Sequence, residues 1–397
     1  MAGKTQWRQP RHKVVFTLLR PFLGAYCRFR YGIRAEKFKA EGNRPYLIVM
    51  NHQTGFDQFF VAMVFRQPIY YVATEDIFSL GWISDVLRWL VAPIPIRKQT
   101  MDIQAVKNCI KVAREGGSIC IAPEGNRTFH GRTVYMNPAI ASLAKKMGMP
   151  VAILRLEGGY GIQPRWSDVC RKGKMRAYVS RIIEPEEYKD LTKEELYDLI
   201  QKELSVDETQ NGQDFHHKKL AEYIERAMYV CPWCGLAEFH SEGDLITCKT
   251  CGKQIRDLPN QRLEGVDCQF PFPYVAQWYQ YQCDFINALD TDAWIETPLY
   301  RDTASISLVD SGKKKSLLTE DAKLVLYGNR IQAGDMTLFF EDVRVVTVLG
   351  KNKVNVYHAD AVYQFKGGKR FNGVKYMNLF YRYKNQKSGK DSDFLGI

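Results

Sequence analysis

Between residues 46 and 183, short apolar runs alternate with stretches of helical period, and few folds accept that alternation. Residues 46–50 (YLIVM), 69–73 (IYYVA), 118–122 (SICIA) and 151–156 (VAILRL) read as strands, the near-continuous hydrophobic kind that is buried on both faces. Residues 102–115 put Ile103, Val106, Ile110 and Ala113 on one helical face, and Gly116-Gly117 stops that helix. Pro138 opens another helix, which Gly148 closes. Buried strands joined by crossover helices predict an α/β fold, a mostly parallel sheet covered by helices.

The chain of 397 residues is long enough for more than one domain, and its 45% hydrophobic and 25% charged residues suit a well-cored globular protein. No run approaches the roughly 20 apolar residues that span a bilayer. The apolar run 14–19 is broken by Arg20 and Pro21 with no small-residue cleavage site behind it, so no signal peptide is expected. These features predict a cytoplasmic protein. The formal charge of +12 suits anionic partners, whether nucleic acid, lipid headgroups, phosphorylated substrates or coenzyme A.

Composition shifts divide the chain into five regions. Residues 1–40 hold arginines around an apolar helical face (positions 15, 19, 22, 23 and 26), with a kink expected at Pro21, as in a helix lying at a membrane interface. Residues 41–228 form the α/β domain. Its charged end is read as helix, with a capping box at Thr192 and Glu195, a polar linker over 205–213, and a resumed helix over 218–228. Residues 229–258 hold four patterned cysteines, 259–299 a helical connector, and 300–397 short alternating strands with a last helix over 371–383. The last region predicts an all-β barrel capped by a helix, similar to a pleckstrin-homology domain, with basic positions such as Lys351, Lys353 and Lys366 on it.

Chemistry concentrates in loops that follow the predicted strands, where open α/β sheets place their ligands. The first loop is Asn51-His52-Gln53-Thr54-Gly55-Phe56-Asp57. A histidine there can take a proton from a hydroxyl, and a carboxylate on its other ring nitrogen fixes the tautomer and stabilises the imidazolium. The second is Pro123-Glu124-Gly125-Asn126-Arg127-Thr128, a sharp turn whose amides and guanidinium suit a phosphate. The third, Pro95-Ile96-Arg97, brings another guanidinium. The fourth is the short strand that starts at Pro150-Val151.

These four motifs, in this order, resemble the glycerolipid acyltransferases typified by 1-acyl-glycerol-3-phosphate acyltransferase, which carry N-H-x-x-x-x-D, a Pro-Ile-x-Arg-like segment, P-E-G-x-R and a Pro-Val strand. The resemblance covers roughly residues 14–185. It implies a glycerol-phosphate acyltransferase-like fold and transfer of a fatty acyl group from acyl-CoA or acyl-carrier protein to 1-acyl-glycerol-3-phosphate, giving phosphatidate, without a catalytic cofactor. It also implies His52 as base, Asp57 as its partner, and Arg97, Glu124, Gly125 and Arg127 as the acceptor-phosphate site. Another lysophospholipid or glycerol 3-phosphate is the alternative acceptor, and Asn126 and Thr128 depart from the family's commoner residues. The implied location is peripheral, on the anionic inner face of a membrane.

Cys231-Pro-Trp-Cys234 and Cys248-Lys-Thr-Cys251 are separated by thirteen residues, and a glycine follows each pair. Four thiolates so spaced predict a small zinc ribbon with a structural Zn2+, and iron is the alternative metal. The remaining cysteines (27, 109, 120, 170, 268 and 283) are expected to be buried free thiols. A ribbon with a basic surface also permits a non-catalytic adaptor that binds nucleic acid or protein. That reading leaves the four loop motifs coincidental, so nucleic acid is not the expected partner.

Overall fold

Strand residues point alternately to two cores, one on each side of a single sheet. In this computed structural model, which describes residues 7–74, 82–96, 103–309, 315–359, 361–389 and 392–396, the chain divides into two compact units. Unit 1 comprises residues 1–164 and 170–215; unit 2 comprises 165–169 and 216–397.

Unit 1 runs α1 (Pro10–Tyr31), β1 (Ile33–Ala35), β2 (Leu47–Met50), α2 (Asp57–Val64), β3 (Ile69–Thr74), α3 (Trp82–Val91), β4 (Ile94–Ile96), α4 (Ile103–Arg114) and β5 (Ser118–Ile121). There follow α5 (Ala139–Met147), β6 (Val151–Glu157), α6 (Gly159–Ile162), β7 (Met175–Ile183), α7 (Pro185–Tyr188) and α8 (Lys193–Leu204). The seven strands lie in the order β1-β7-β6-β2-β5-β3-β4. Every ladder is parallel except β6 with β7. Ile48, Met50, Cys120, Ala152 and Leu154 face a core shared with α1 and α2. Leu47, Val49, Ile119, Val151 and Ile153 face the opposite core, with α4, α5 and α8. Each fully buried aliphatic or aromatic side chain there stabilises the fold by about 1.5–3 kcal/mol, which is why the strand runs are continuously apolar.

The expected helices over 102–115 and 138–148 form as α4 and α5, and Gly148 ends α5 in the left-handed region at φ 60°. Three expectations are corrected. Residues 218–228 are not a helix; they form turns with one 3-10 turn over 224–226, because hydrogen bonds to residues elsewhere in unit 2, such as Tyr223 N to Ser241 Oγ, replace the helical ladder. The helix α1 continues through Pro21, and its apolar residues divide between two faces. His12, Phe16, Leu23, Gly24, Cys27 and Tyr31 face the domain, whereas Val14, Leu18, Leu19, Phe22, Tyr26 and Phe29 are exposed. The expected face of positions 15, 19, 22, 23 and 26 therefore mixed the two. Cys268 and Cys283 are half-buried rather than buried; the other four scattered cysteines are buried. No helix among the described residues is long and apolar enough to cross a membrane.

Unit 2 begins with a hairpin of β8 (Val230–Cys231) and β9 (Gly235–Leu236), then a four-stranded antiparallel sheet of β10 (Phe239–Glu242), β11 (Leu245–Cys248), β12 (Gln254–Asp257) and β13 (Leu263–Val266). Helix α9 (Val275–Ala288) anchors the hairpin. Its Gln282 accepts from the amides of Tyr229 and Val230 at 2.7 and 3.3 Å, and Trp278 donates its indole N–H to Val230 at 2.8 Å. The last region is a curled, open antiparallel half-barrel. It comprises β14 (Tyr300–Val309), β15 (Lys315–Leu326), β16 (Arg330–Ala333), β17 (Met336–Phe339), β18 (Val343–Leu349), β19 (Lys353–His358) and β20 (Ala361–Gly367), in the order β17-β16-β15-β14-β20-β19-β18. Helix α10 (Val374–Ser388) follows; it starts three residues later than the sequence pattern suggests, because Asn372 folds back to accept from the amides of Val374 and Lys375.

Candidate active site

The loop after β2 folds around one carboxylate. Asp57 sits in the first turn of α2, where the helix dipole favours an anion, and its side chain is fully buried. Its Oδ1 accepts from the Thr54 amide at 3.0 Å and the Thr54 hydroxyl at 2.7 Å. Its Oδ2 accepts from the Gln53 amide at 2.7 Å and lies 2.7 Å from His52 Nδ1. A carboxylate oxygen at that distance takes Nδ1–H as its donor, which leaves Nε2 as the ring's acceptor. The His52 side chain is 27% exposed, unlike that of Asp57, so the ring can be reached from outside.

The second loop arrives from the next strand. Since β5 is hydrogen-bonded beside β2, the turn after β5 meets the turn after β2 at the same sheet edge. Glu124, in the Pro-Glu-Gly turn, accepts from the His52 amide at 2.9 Å and from the Val134 amide at 3.1 Å. Burial pushes its pKa up to about 8, only partly offset by the two N–H donors, which favour the anion. Gly125 adopts φ 64°, a conformation that L side chains rarely take, and its amide closes the turn onto Ala122 at 3.0 Å. Asn51 fixes the other neighbour of β2. Its amide group donates to Leu156 O at 2.8 Å and accepts from Leu156 N at 2.7 Å on β6.

The structure thus brings His52, Asp57, Glu124 and Gly125 together. Arg127 is half-buried; burial lowers its pKa, and the nearby Asp57 carboxylate opposes that shift. Arg97 lies outside the described residues. Aromatic side chains border the site: Phe56 lies 5.4 Å from Tyr31 and 5.5 Å from Phe59 between ring centroids, and Phe60 meets Tyr31 edge-on.

Sequence reasoning missed a supporting carboxylate. Glu208 falls in the segment expected to be a polar linker, yet it is 1% exposed. It accepts from Gln53 Nε2 at 2.8 Å, from the Gly158 amide at 2.8 Å and from Asn211 Nδ2 at 3.1 Å. Gln53 in turn accepts from the Gly159 amide at 2.8 Å. The histidine loop is therefore tied through Gln53 to the end of β6 and to the segment after α8. No local pattern around Glu208 signals this, because the partners that tie it to the histidine loop and to β6, Gln53 and Gly158, lie 155 and 50 positions away.

In unit 2, the thiol sulfurs of Cys231, Cys234, Cys248 and Cys251 all lie within 4.8 Å of one another. Cys231 Sγ is 3.7 Å from Cys251 Sγ, and Cys234 Sγ is 3.6 Å from Cys248 Sγ. A tetrahedral site with metal–sulfur bonds of about 2.3 Å has edges of roughly 3.8 Å, so the four thiols fit a four-coordinate metal closely. His240 is exposed and outside this group.

Comparison with known proteins shows what part of unit 1 is similar to. Residues 33–155, which include His52, Asp57, Glu124, Gly125 and Arg127, match the family model described as Acyltransferase. That match shows an acyltransferase-like domain within unit 1. Particular relatives are chloroplastic 1-acyl-sn-glycerol-3-phosphate acyltransferases. BAT2 of Brassica napus is 23% identical over 165 residues, 41% of this chain and 47% of that protein. LPAT1 of Arabidopsis thaliana is 22% identical, over 41% of this chain and 46% of that protein. The chain spans about half the length of the curated relatives it matches. A crystal structure of the 1-acyl-sn-glycerophosphate acyltransferase PlsC of Thermotoga maritima aligns at 18% identity with a TM-score of 0.43, covering 49% of this chain and 78% of that one.

Proposed function

We propose that unit 1 transfers a fatty acyl group from acyl-CoA or acyl-carrier protein to the free hydroxyl of 1-acyl-glycerol-3-phosphate, giving phosphatidate for phospholipid biosynthesis. The observation that carries this reading is the 2.7 Å contact between His52 Nδ1 and the buried Asp57, with the ring still accessible. The acceptor hydroxyl gives its proton to His52 Nε2 as its oxygen attacks the thioester carbonyl. Asp57 stabilises the imidazolium that forms. The tetrahedral intermediate then collapses, the carbon–sulfur bond breaks, and the proton passes from Nε2 to the leaving thiolate. No serine or cysteine nucleophile and no catalytic cofactor take part. Arg127 and Arg97 receive the acceptor phosphate, while Glu124 and Gly125 hold the loop that presents Arg127.

The exposed stripe of α1 supports work at the inner face of a membrane. Phe22 and Phe29 are 75% and 91% exposed, and α3 adds exposed Val86 and Trp89, with Arg11 stacked 5.5 Å over the Trp89 ring. In unit 2, the four cysteines would hold a structural zinc whose bonds stabilise the ribbon.

The test is His52→Ala. Turnover of acyl-CoA with a panel of lysophospholipids and glycerol 3-phosphate should vanish while folding and metal content stay unchanged. Retained turnover would remove His52 from the chemistry, and the panel itself identifies the acceptor.

A further inference from the structure

The segment expected to be a polar linker grips two loops of the candidate site with neighbouring side chains. Asp207 is extended (φ −119°, ψ 103°), so its side chain and that of Glu208 leave the backbone in opposite directions. Glu208 turns its carboxylate to Gln53 and Gly158, on the His52 side. Asp207 turns to Arg132, whose Nε donates to its Oδ2 at 2.9 Å. Backbone groups reinforce this second grip. Thr133 N donates to Val206 O at 3.0 Å, Glu208 N donates to Gly131 O at 2.9 Å, and the Thr133 hydroxyl accepts from Val206 N at 2.8 Å.

Residues 131–133 belong to the Pro-Glu-Gly loop, whose near end is fixed to His52. The His52 amide donates to Glu124, and its carbonyl accepts from Thr128 N at 3.3 Å. The Thr128 hydroxyl then accepts from the amides of His130 and Gly131 at 3.2 and 3.0 Å, which folds the loop towards Asp207. Between β5 and α5 this stretch has no helix or strand of its own, so its shape depends on such anchors. Gly131 leaves little slack: at φ 89°, a Cβ there would come within 2.8 Å of the Tyr160 ring and 3.2 Å of Glu208 Cβ. We propose that Arg132 and Asp207 are positioning residues for acceptor binding: their ion pair holds the loop that presents Arg127, while Glu208, one residue on, holds the loop that presents His52. This rests on the acyl-transfer reading, with Arg127 receiving the acceptor phosphate. It gives adjacent residues of one segment different kinetic duties, which a merely structural anchor would not show.

The experiment is steady-state acyl transfer by the full chain, varying acyl-CoA and a panel of phosphorylated acceptors separately. The Arg132 and Asp207 side chains are 38% and 28% exposed, so the loss on breaking the pair is modest. Arg132→Ala and Asp207→Asn should each raise the acceptor KM about fivefold and leave kcat and the acyl-CoA KM near the parent's. Asp207→Asn keeps the Oδ1 that accepts from Thr209 N at 3.0 Å, so the turn after it stays capped. Arg132→Lys should recover most of the loss, and the double variant should be no worse than either single one. Glu208→Ala should show the opposite split, a lower kcat. Equal rises in both KM values, or a matching fall in kcat, reduce the pair to a general anchor and overturn the proposal. So does a lower acceptor KM in Asp207→Asn, which would make the released Arg132 a direct phosphate ligand. Amide hydrogen exchange is read in parallel: Arg132→Ala should speed exchange at Thr133 and leave Gln53 and Thr54 unchanged. If the parent turns over none of the acceptors, the acyl-transfer reading fails, and unchanged exchange at Thr133 then overturns the grip as well. If turnover is present and the acceptor KM does not move, the positioning role fails alone.

Discussion

Asp57→Asn changes one atom at the centre of the candidate site, and its cost can be worked from the hydrogen bonds there. The asparagine oxygen keeps the Oδ1 position, where the Thr54 amide and hydroxyl donate. Its NH2 then replaces Oδ2, facing His52 Nδ1 and the Gln53 amide, both 2.7 Å away. An NH2 cannot accept from Gln53 N–H, so one buried donor loses its partner at about 1–3 kcal/mol of folding stability. Catalysis should lose more. The NH2 donates to Nδ1, which moves the ring proton to Nε2 and removes the lone pair that takes the hydroxyl proton. The same change in a serine-protease triad costs about 10⁴-fold in kcat, which is roughly 5.5 kcal/mol of activation free energy. Thiol release from acyl-CoA gives kcat, and urea unfolding gives stability. The double variant with His52→Ala should be no slower than His52→Ala alone, because the two residues act as a unit. A singly substituted chain that keeps kcat within about tenfold of the parent would refute the pairing.

Three further outcomes are expected. Burial raises the Glu124 pKa from 4.5 to about 8, so its contribution to stability is complete below 4.5 and is lost as pH rises through 8. Glu124→Gln should flatten the fall in urea midpoint over that window, and an unaltered slope would contradict a buried carboxyl. Glu208→Ala strands Gln53 Nε2, Gly158 N–H and Asn211 Nδ2; it should lower the melting temperature and lower kcat more than it raises the KM of either substrate. An untouched kcat would leave Glu208 a purely structural anchor. Cys248→Ser, or a strong chelator, should release metal, measured by elemental analysis, and destabilise unit 2 while leaving the acyl-transfer rate of folded unit 1 unchanged.

Legibility followed the range of the interactions. His52 and Asp57 are five positions apart, and a single turn closes the contact, so their pairing could be read from spacing. The four cysteines follow the same logic twice, as two tight turns each presenting two thiols. The continuous apolar runs announced strands buried on both faces, and β2, β3, β5 and β6 formed where those runs lie. The segment 218–228 misled because its charged and apolar spacing suits a helix, whereas partners such as Ser241 capture its backbone instead. A second apolar stripe on α1 blurred which face was which, since periodicity reports that a face is apolar but not what covers it.

The amino-acid order by itself determined the local chemistry: which stretches become strands, where turns fall, and which side chains lie within one turn of each other. These depend on side-chain shape and backbone preference over a few residues. Only the tertiary structure decided that β5 and β6 flank β2, which brings Glu124 to the His52 amide and Leu156 to Asn51 across 72 and 105 positions. It also decided that Glu208 is buried beside the His52 loop, bonded to Gln53. The physical reason is that burial, desolvation and charge balance belong to the neighbours a residue acquires on folding, and strand order chooses those neighbours.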